Sequence, residues 1–270
     1  MKMRLIAAAV LLPLLLLIVL VAPKIVAALV FGLLLAIGAY ELLYRTGLVT
    51  HVRLVAYSAA MAFTMCIWSY FGGHSATLML CILVFSVLLF GEMMLDHVKV
   101  RFEMLCMCYV AGFLVPYLLS GIIRVLAMAL GRYMVLIPFV VAFLSDAGAY
   151  FVGKRFGKHK LSPVVSPNKT LEGSLGGIAA AMLGMLIYGI VLHFLDFRVN
   201  YLLALLYGLL GSIVGSFGDL CFSVIKRQTG LKDYGNLIPG HGGVLDRFDS
   251  MVLVAPLMEA LLLLIPMAVD

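Results

Sequence analysis

Residues 216–249, SFGDLCFSVIKRQTGLKDYGNLIPGHGGVLDRFD, gather most of the chemically capable side chains of this sequence. Asp219 lies near the end of an apolar segment, where a carboxylate is costly unless partnered and is functional by default. Asp246 and Asp249 are three apart, so a helix beginning beside them would point both to one face. Three carboxylates from two helix ends could hold Mg²⁺, a hard cation that shares oxygen ligands with substrate phosphates. Lys226, Arg227 and Lys232 stand among these acids. Cations beside carboxylates suit a nucleoside triphosphate with its metal. Pro239-Gly240-His241-Gly242-Gly243 precedes the next helix. Its glycines permit close backbone approach, and amides at a helix start favour anions. His241 could donate to a phosphate or carry a proton. Each feature also has a plainer reading. Lys226 and Arg227 mark a helix end, Asp246-Arg247-x-Asp249 is a cap with a surface ion pair, and the glycines are a turn. Their crowding within some thirty residues favours a site.

A second group lies at 145–173, SDAGAYFVGKRFGKHKLSPVVSPNKTLEG. Asp146 falls inside an apolar span and needs a partner. Ser166, Asn168, Lys169, Thr170 and Glu172 supply hydroxyls, an amide, a cation and a carboxylate just before another helix. The plainer reading is a helix start, with Thr170 or Asn168 as cap and Glu172 in the first turn. Glu41, Glu92 and Glu259 sit near span ends and read as interfacial or interhelical partners. His51, His74, His97, His159 and His193 are isolated along the sequence.

These groups must be positioned by apolar helices. Of the 270 residues, 64% are hydrophobic and 12% charged, and the mean hydropathy is +1.17. Soluble domains run near 45–50% apolar and about 25% charged. That composition excludes a water-soluble enzyme, a nucleic-acid-binding module and a disordered chain. A bilayer-spanning helix takes about 20 mostly apolar residues. Nine segments qualify: roughly 5–22, 25–44, 53–71, 76–95, 104–123, 133–153, 174–195, 200–222 and 250–268. The first, after Met1-Lys2-Met3-Arg4, resembles a signal peptide but reads as a retained span. With the N-terminus in the cytoplasm, 15 of the 19 basic residues fall inside and only Lys24, Arg124, Arg132 and Arg198 outside. The C-terminus is then outside. The fold expected is an all-α polytopic membrane protein of about nine helices. Its stretches are N-terminal helices over 1–103, middle helices with a basic cytoplasmic loop over 104–173, and C-terminal helices with the metal site over 174–270. No internal repeat is visible. The five cysteines lack zinc-ligand spacing and read as free thiols.

The run Ser223-Val224-Ile225-Lys226-Arg227, then Lys232-Asp233, then Pro239 through Asp249 resembles the signature of the phosphatidate cytidylyltransferases, or CDP-diacylglycerol synthases. SDAGAYFVGKRFGKHKLSP and SPNKTLEG are similar to the same family, so the likeness covers about 140–250. It implies an integral enzyme of a bacterial inner membrane, with its site facing the cytoplasm, acting in phospholipid biosynthesis. The enzyme would move the cytidylyl group of CTP onto phosphatidate with Mg²⁺, giving CDP-diacylglycerol and pyrophosphate. Asp219, Asp246 and Asp249 would be the metal cluster. Lys226, Arg227, Lys232 and His241, with Gly242, Gly243 and Arg247, would bind triphosphate or pyrophosphate. The catalytic set would be Asp219, Asp246, Lys226 and His241. Ser166, Asn168 and Lys169 would contact nucleotide or lipid phosphate, and Asp146 would orient Lys169 or bind a second cation. Phe222 departs from the family pattern, which has an acid just before the signature serine. Membrane lipids are the expected surroundings, nucleic acid is not a partner, and a homodimer is compatible with the fold. The competing readings are a CTP-dependent polyprenol or lipid kinase, releasing CDP, and a transporter of an anionic solute. The pattern of CDP-alcohol phosphotransferases is absent.

Overall fold

Only a helix satisfies its own backbone when a short segment must cross lipid alone. The computed structural model, which describes residues 13–237 and 242–269, follows that rule. Among the described residues seven helices are long and apolar enough to span: α1 (Lys24–Arg45), α2 (Val52–Tyr70), α3 (Ser75–Leu95), α4 (Phe102–Ala127), α5 (Gly131–Phe156), α6 (Leu171–Phe194) and α7 (Tyr201–Gln228). The chain is an all-α polytopic membrane protein. These seven match the expected segments to within a few residues, except that α7 runs on to Gln228. The expected span at 5–22 begins outside the described residues, with helix over 13–20. The expected span at 250–268 is a 14-residue helix, α9 (Met251–Leu264), preceded by a single turn, α8 (Leu245–Phe248). At about 1.5 Å per residue, α9 falls short of a bilayer's hydrocarbon core. Two small ribbons are also present among the described residues. β1 (Lys160–Ser162) pairs with β2 (Ser166–Thr170), and β3 (Arg198–Val199) with β4 (Ala268–Val269), both antiparallel.

Packing divides the chain into two units. This is a different kind of division from the three consecutive stretches read from sequence. The first unit holds the chain up to Arg132 together with Lys226–Phe248. Within it α1 lies along α2, and α4 is broken into shorter pieces. Its backbone widens to a π-turn at Val110–Leu114, just ahead of Pro116, which has no N–H to give. α1 ends in a π-turn of its own, Glu41–Arg45. At the far end of this unit Lys24 donates to the Met128 carbonyl at 3.3 Å, and Arg132 donates to the carbonyls of Leu20 and Ala22.

The second unit holds Tyr133–Ile225 and Asp249 onward. α5 and α6 pack along a seam of small residues. A Cβ on Gly148 would overlap Ala180, and one on Gly176 would overlap Val152. Close backbone approach through small side chains replaces the hydrophobic drive that lipid removes. Ser145 of α5 and Ser212 of α7 share a buried 2.7 Å hydrogen bond in this unit.

Candidate functional site

In the second unit the β1–β2 ribbon delivers Lys169. Thr170 ends β2 and caps α6, its Oγ1 accepting the Gly173 amide at 3.1 Å. The plainer reading of this segment is therefore realised, and Thr170 is the cap. Glu172 in the first turn of α6 grips the preceding turn. It accepts the amides of Lys158 at 3.0 Å and His159 at 3.2 Å, and meets His159 Nδ1 at 2.6 Å. His159 is thus not isolated. With the ribbon held at both ends, Lys169 forms an ion pair with Asp219 of α7. Both side chains are about a quarter exposed. A Cβ on Gly218 would be 3.2 Å from the Asp249 carbonyl, so the Asp219 turn of α7 lies against the Asp249 backbone. Asp249 accepts the Ser250 amide at 2.8 Å. The helix carrying Asp246 stops at Phe248 and α9 starts at Met251, so Asp246 and Asp249 do not share one helix. Asp146 stands on an exposed face of α5, and Ser166 and Asn168 belong to β2. Phe222 is buried, as an apolar side chain rather than an acid would be.

In the first unit the centre is a buried ion pair. Lys226 Nζ donates to Asp246 Oδ1 at 2.9 Å, and their side chains are 10% and 2% exposed. Asp246 Oδ2 accepts two more hydrogen bonds, from the amides of Tyr234 at 2.8 Å and Gly243 at 2.9 Å. The ammonium also lies 5.3 Å from the centre of the Tyr234 ring, itself buried. Lys226 and Arg227 do end a helix: the Leu231 amide donates to the Lys226 carbonyl at 2.8 Å, with Gly230 at φ +70. Arg227, Lys232 and Arg247 are exposed cations. Gly242 takes φ +84, a left-handed conformation open to glycine. His241, with Ile238, Pro239 and Gly240, lies outside the described residues.

Sequence reasoning missed Glu41. It is 3% exposed, and its carboxylate accepts the amides of Val244 at 3.1 Å and Leu245 at 2.9 Å. With Asp246 it therefore occupies the amides of residues 243–245, which the sequence alone offered to an anionic ligand. Nothing in the run ELLYR connects Glu41 with a loop some two hundred residues later.

Among the described residues no three His, Cys, Asp or Glu side chains form a group able to hold a metal ion. Mg²⁺ needs less than that, because it keeps waters and uses one or two carboxylates plus substrate phosphates. Asp219 and Asp249, partly accessible oxygen donors, fit such a role. Asp246, with both oxygens engaged and almost no exposure, fits it only by giving up a partner.

Comparison with known proteins gives a match to the Cytidylyltransferase family over residues 2–265. Phosphatidate cytidylyltransferases of Staphylococcus haemolyticus and Staphylococcus aureus are each 47% identical over 133 residues, 49% of this chain and 50% of theirs. That of Staphylococcus epidermidis is 48% identical over 132 residues, 49% of each chain. The chain thus spans about half the length of the curated relatives it matches.

Proposed function

Because the chain belongs to the Cytidylyltransferase family, we propose that it transfers the cytidylyl group of CTP to phosphatidate, forming CDP-diacylglycerol and pyrophosphate for phospholipid synthesis. The observation that carries this reading is the family match along the chain, joined to the activity named for the staphylococcal relatives. A phosphate oxygen of phosphatidate attacks the α-phosphorus of CTP in line. A new P–O bond forms as the bond to the bridging oxygen breaks, and pyrophosphate leaves. The nucleophile is already anionic, so no strong general base is required. The protein's task is to hold two anions that repel and to neutralise the leaving group.

Lys169 is half-buried and already paired with an acid. It would exchange Asp219 for a substrate phosphate, with Ser166 and Asn168 beside it in β2. Arg227, Lys232 and Arg247 are exposed cations for triphosphate or pyrophosphate, with His241 and Gly242 in the same signature, while the Gly243 amide is held by Asp246. Within the second unit, Mg²⁺ would be held by Asp219 and Asp249. When bound it supplies charge neutralisation at the phosphates. A second cation would fall to Asp146. Lys226 keeps Asp246 in place, and Asp246 in turn orders the amides of residues 234 and 243. The site would face the cytoplasm, where CTP arrives from water and phosphatidate from the leaflet.

Purified protein given α-labelled CTP, phosphatidate and Mg²⁺ tests the proposal. Label entering the lipid with one pyrophosphate per label supports it. Release of labelled CDP with a phosphorylated lipid alcohol would replace it with the kinase reading.

A further inference from the structure

We infer that Glu41 is a positioning residue for the transfer reaction, holding the signature loop in its working shape from a helix some two hundred residues upstream; the inference rests on the cytidylyltransferase reading. Four observations within the first unit carry it. Glu41 Oε1 and Oε2 each accept one amide, from Val244 and Leu245. These amides open the turn that bears Asp246 and Arg247. The loop has glycine at both points where it passes the carboxylate: a Cβ on Gly235 or on Gly243 would collide with Glu41. The backbone of α1 leaves α-geometry at Glu41, where the π-turn Glu41–Arg45 begins, and such turns recur at functional sites. The same helix also anchors the loop through apolar contacts. Val244, Leu245 and Phe248 share a cavity with Phe31, Leu35 and Gly38, and the rings of Phe31 and Phe248 meet edge to face at 6.1 Å.

These contacts divide the labour between two carboxylates. Asp246 ties Tyr234 to Gly243, and Glu41 ties the next two amides to α1. Among the described residues, the Glu41 carboxylate accepts hydrogen bonds from the buried residues Val244 and Leu245, so its effect on chemistry must pass through the loop. Beside it opens a cleft of about 350 Å³ lined by Tyr40, Glu41, Arg45 and Asn236 among others, on the same side as the loop. A glutamine at 41 presents one acceptor and one N–H₂ group. The latter would face an amide donor, so one of the two ties is lost while volume is kept.

The test uses the full-length protein, in wild type, Glu41→Gln, Gly243→Ala and the double variant. It measures kcat and KM for CTP and for phosphatidate, the thermal unfolding temperature, and tryptic cleavage at exposed Lys232. The expected result is a kcat lowered tenfold or more in Glu41→Gln, with KM for phosphatidate within twofold. Faster cleavage at Lys232 should accompany it. Gly243→Ala should produce the same changes, and the double variant should be no worse than either single one, as two faults in one contact require. Glu41→Gln with wild-type kcat would overturn the inference. So would a loss of activity that tracks unfolding temperature alone, with Lys232 still protected. A wild type that does not turn over CTP would instead sink the functional reading, and the protection of Lys232 would still report whether Glu41 holds the loop.

Discussion

Two acid–base pairs of similar composition sit in different surroundings, and this sets different costs for removing them. Asp246 is buried with Lys226 and also holds two amides. Breaking a buried pair strands a charge and costs about 3–5 kcal/mol. Lys226→Met should therefore lower both activity and unfolding temperature. Asp219 and Lys169 are partly exposed, and such pairs contribute about 1 kcal/mol or less. Asp219→Asn should abolish most turnover while leaving the unfolding temperature within a few degrees of wild type. Thermal scans and rates on both variants check the contrast, and equal destabilisation by the two would contradict it. The residues of both pairs were legible in the sequence, because an isolated carboxylate or cation in apolar surroundings announces a role. Their partners were not. Lys169 meets Asp219 and Lys226 meets Asp246 through closures between distant segments, which residue type does not encode.

Among the elements, the α5–α6 seam gives the most direct prediction. Gly176→Leu would drive a side chain into Val152, and overpacking costs about 1–3 kcal/mol. It should reduce the yield of folded protein and lower its unfolding temperature. Gly91→Ala, where among the described residues the added Cβ meets nothing beyond its own helix's nearby backbone within 4 Å, should leave both unchanged. The seven long helices were readable from hydropathy, since lipid forces each span to be apolar along its length. The Thr170 cap was readable for a similar reason: few side chains satisfy a helix's first amides. The π-turns at Glu41 and Val110 were not, because they answer to packing between distant segments rather than to local residue type. Pro116 hints at the second only in retrospect. The helix after Asp249 is shorter than its apolar run, because hydropathy does not distinguish a short helix followed by an apolar strand from one continuous span.

For the whole molecule, the distribution of basic residues predicts a sidedness. Lys24 and Arg132 meet carbonyl groups at one end of the first unit, and both belong to the small set expected outside. A cysteine replacing Lys24 should react with an impermeant thiol reagent added from outside intact cells. One replacing Lys232 should react only after the membrane is opened. The reverse pattern would invert the topology and move the signature away from cytoplasmic CTP. Cytidylyl transfer itself is tested by the α-labelled CTP assay with purified protein, phosphatidate and Mg²⁺. Label should enter the lipid, with pyrophosphate released in equal amount. CTP left intact with phosphatidate present, or CDP as the only labelled product, would contradict it.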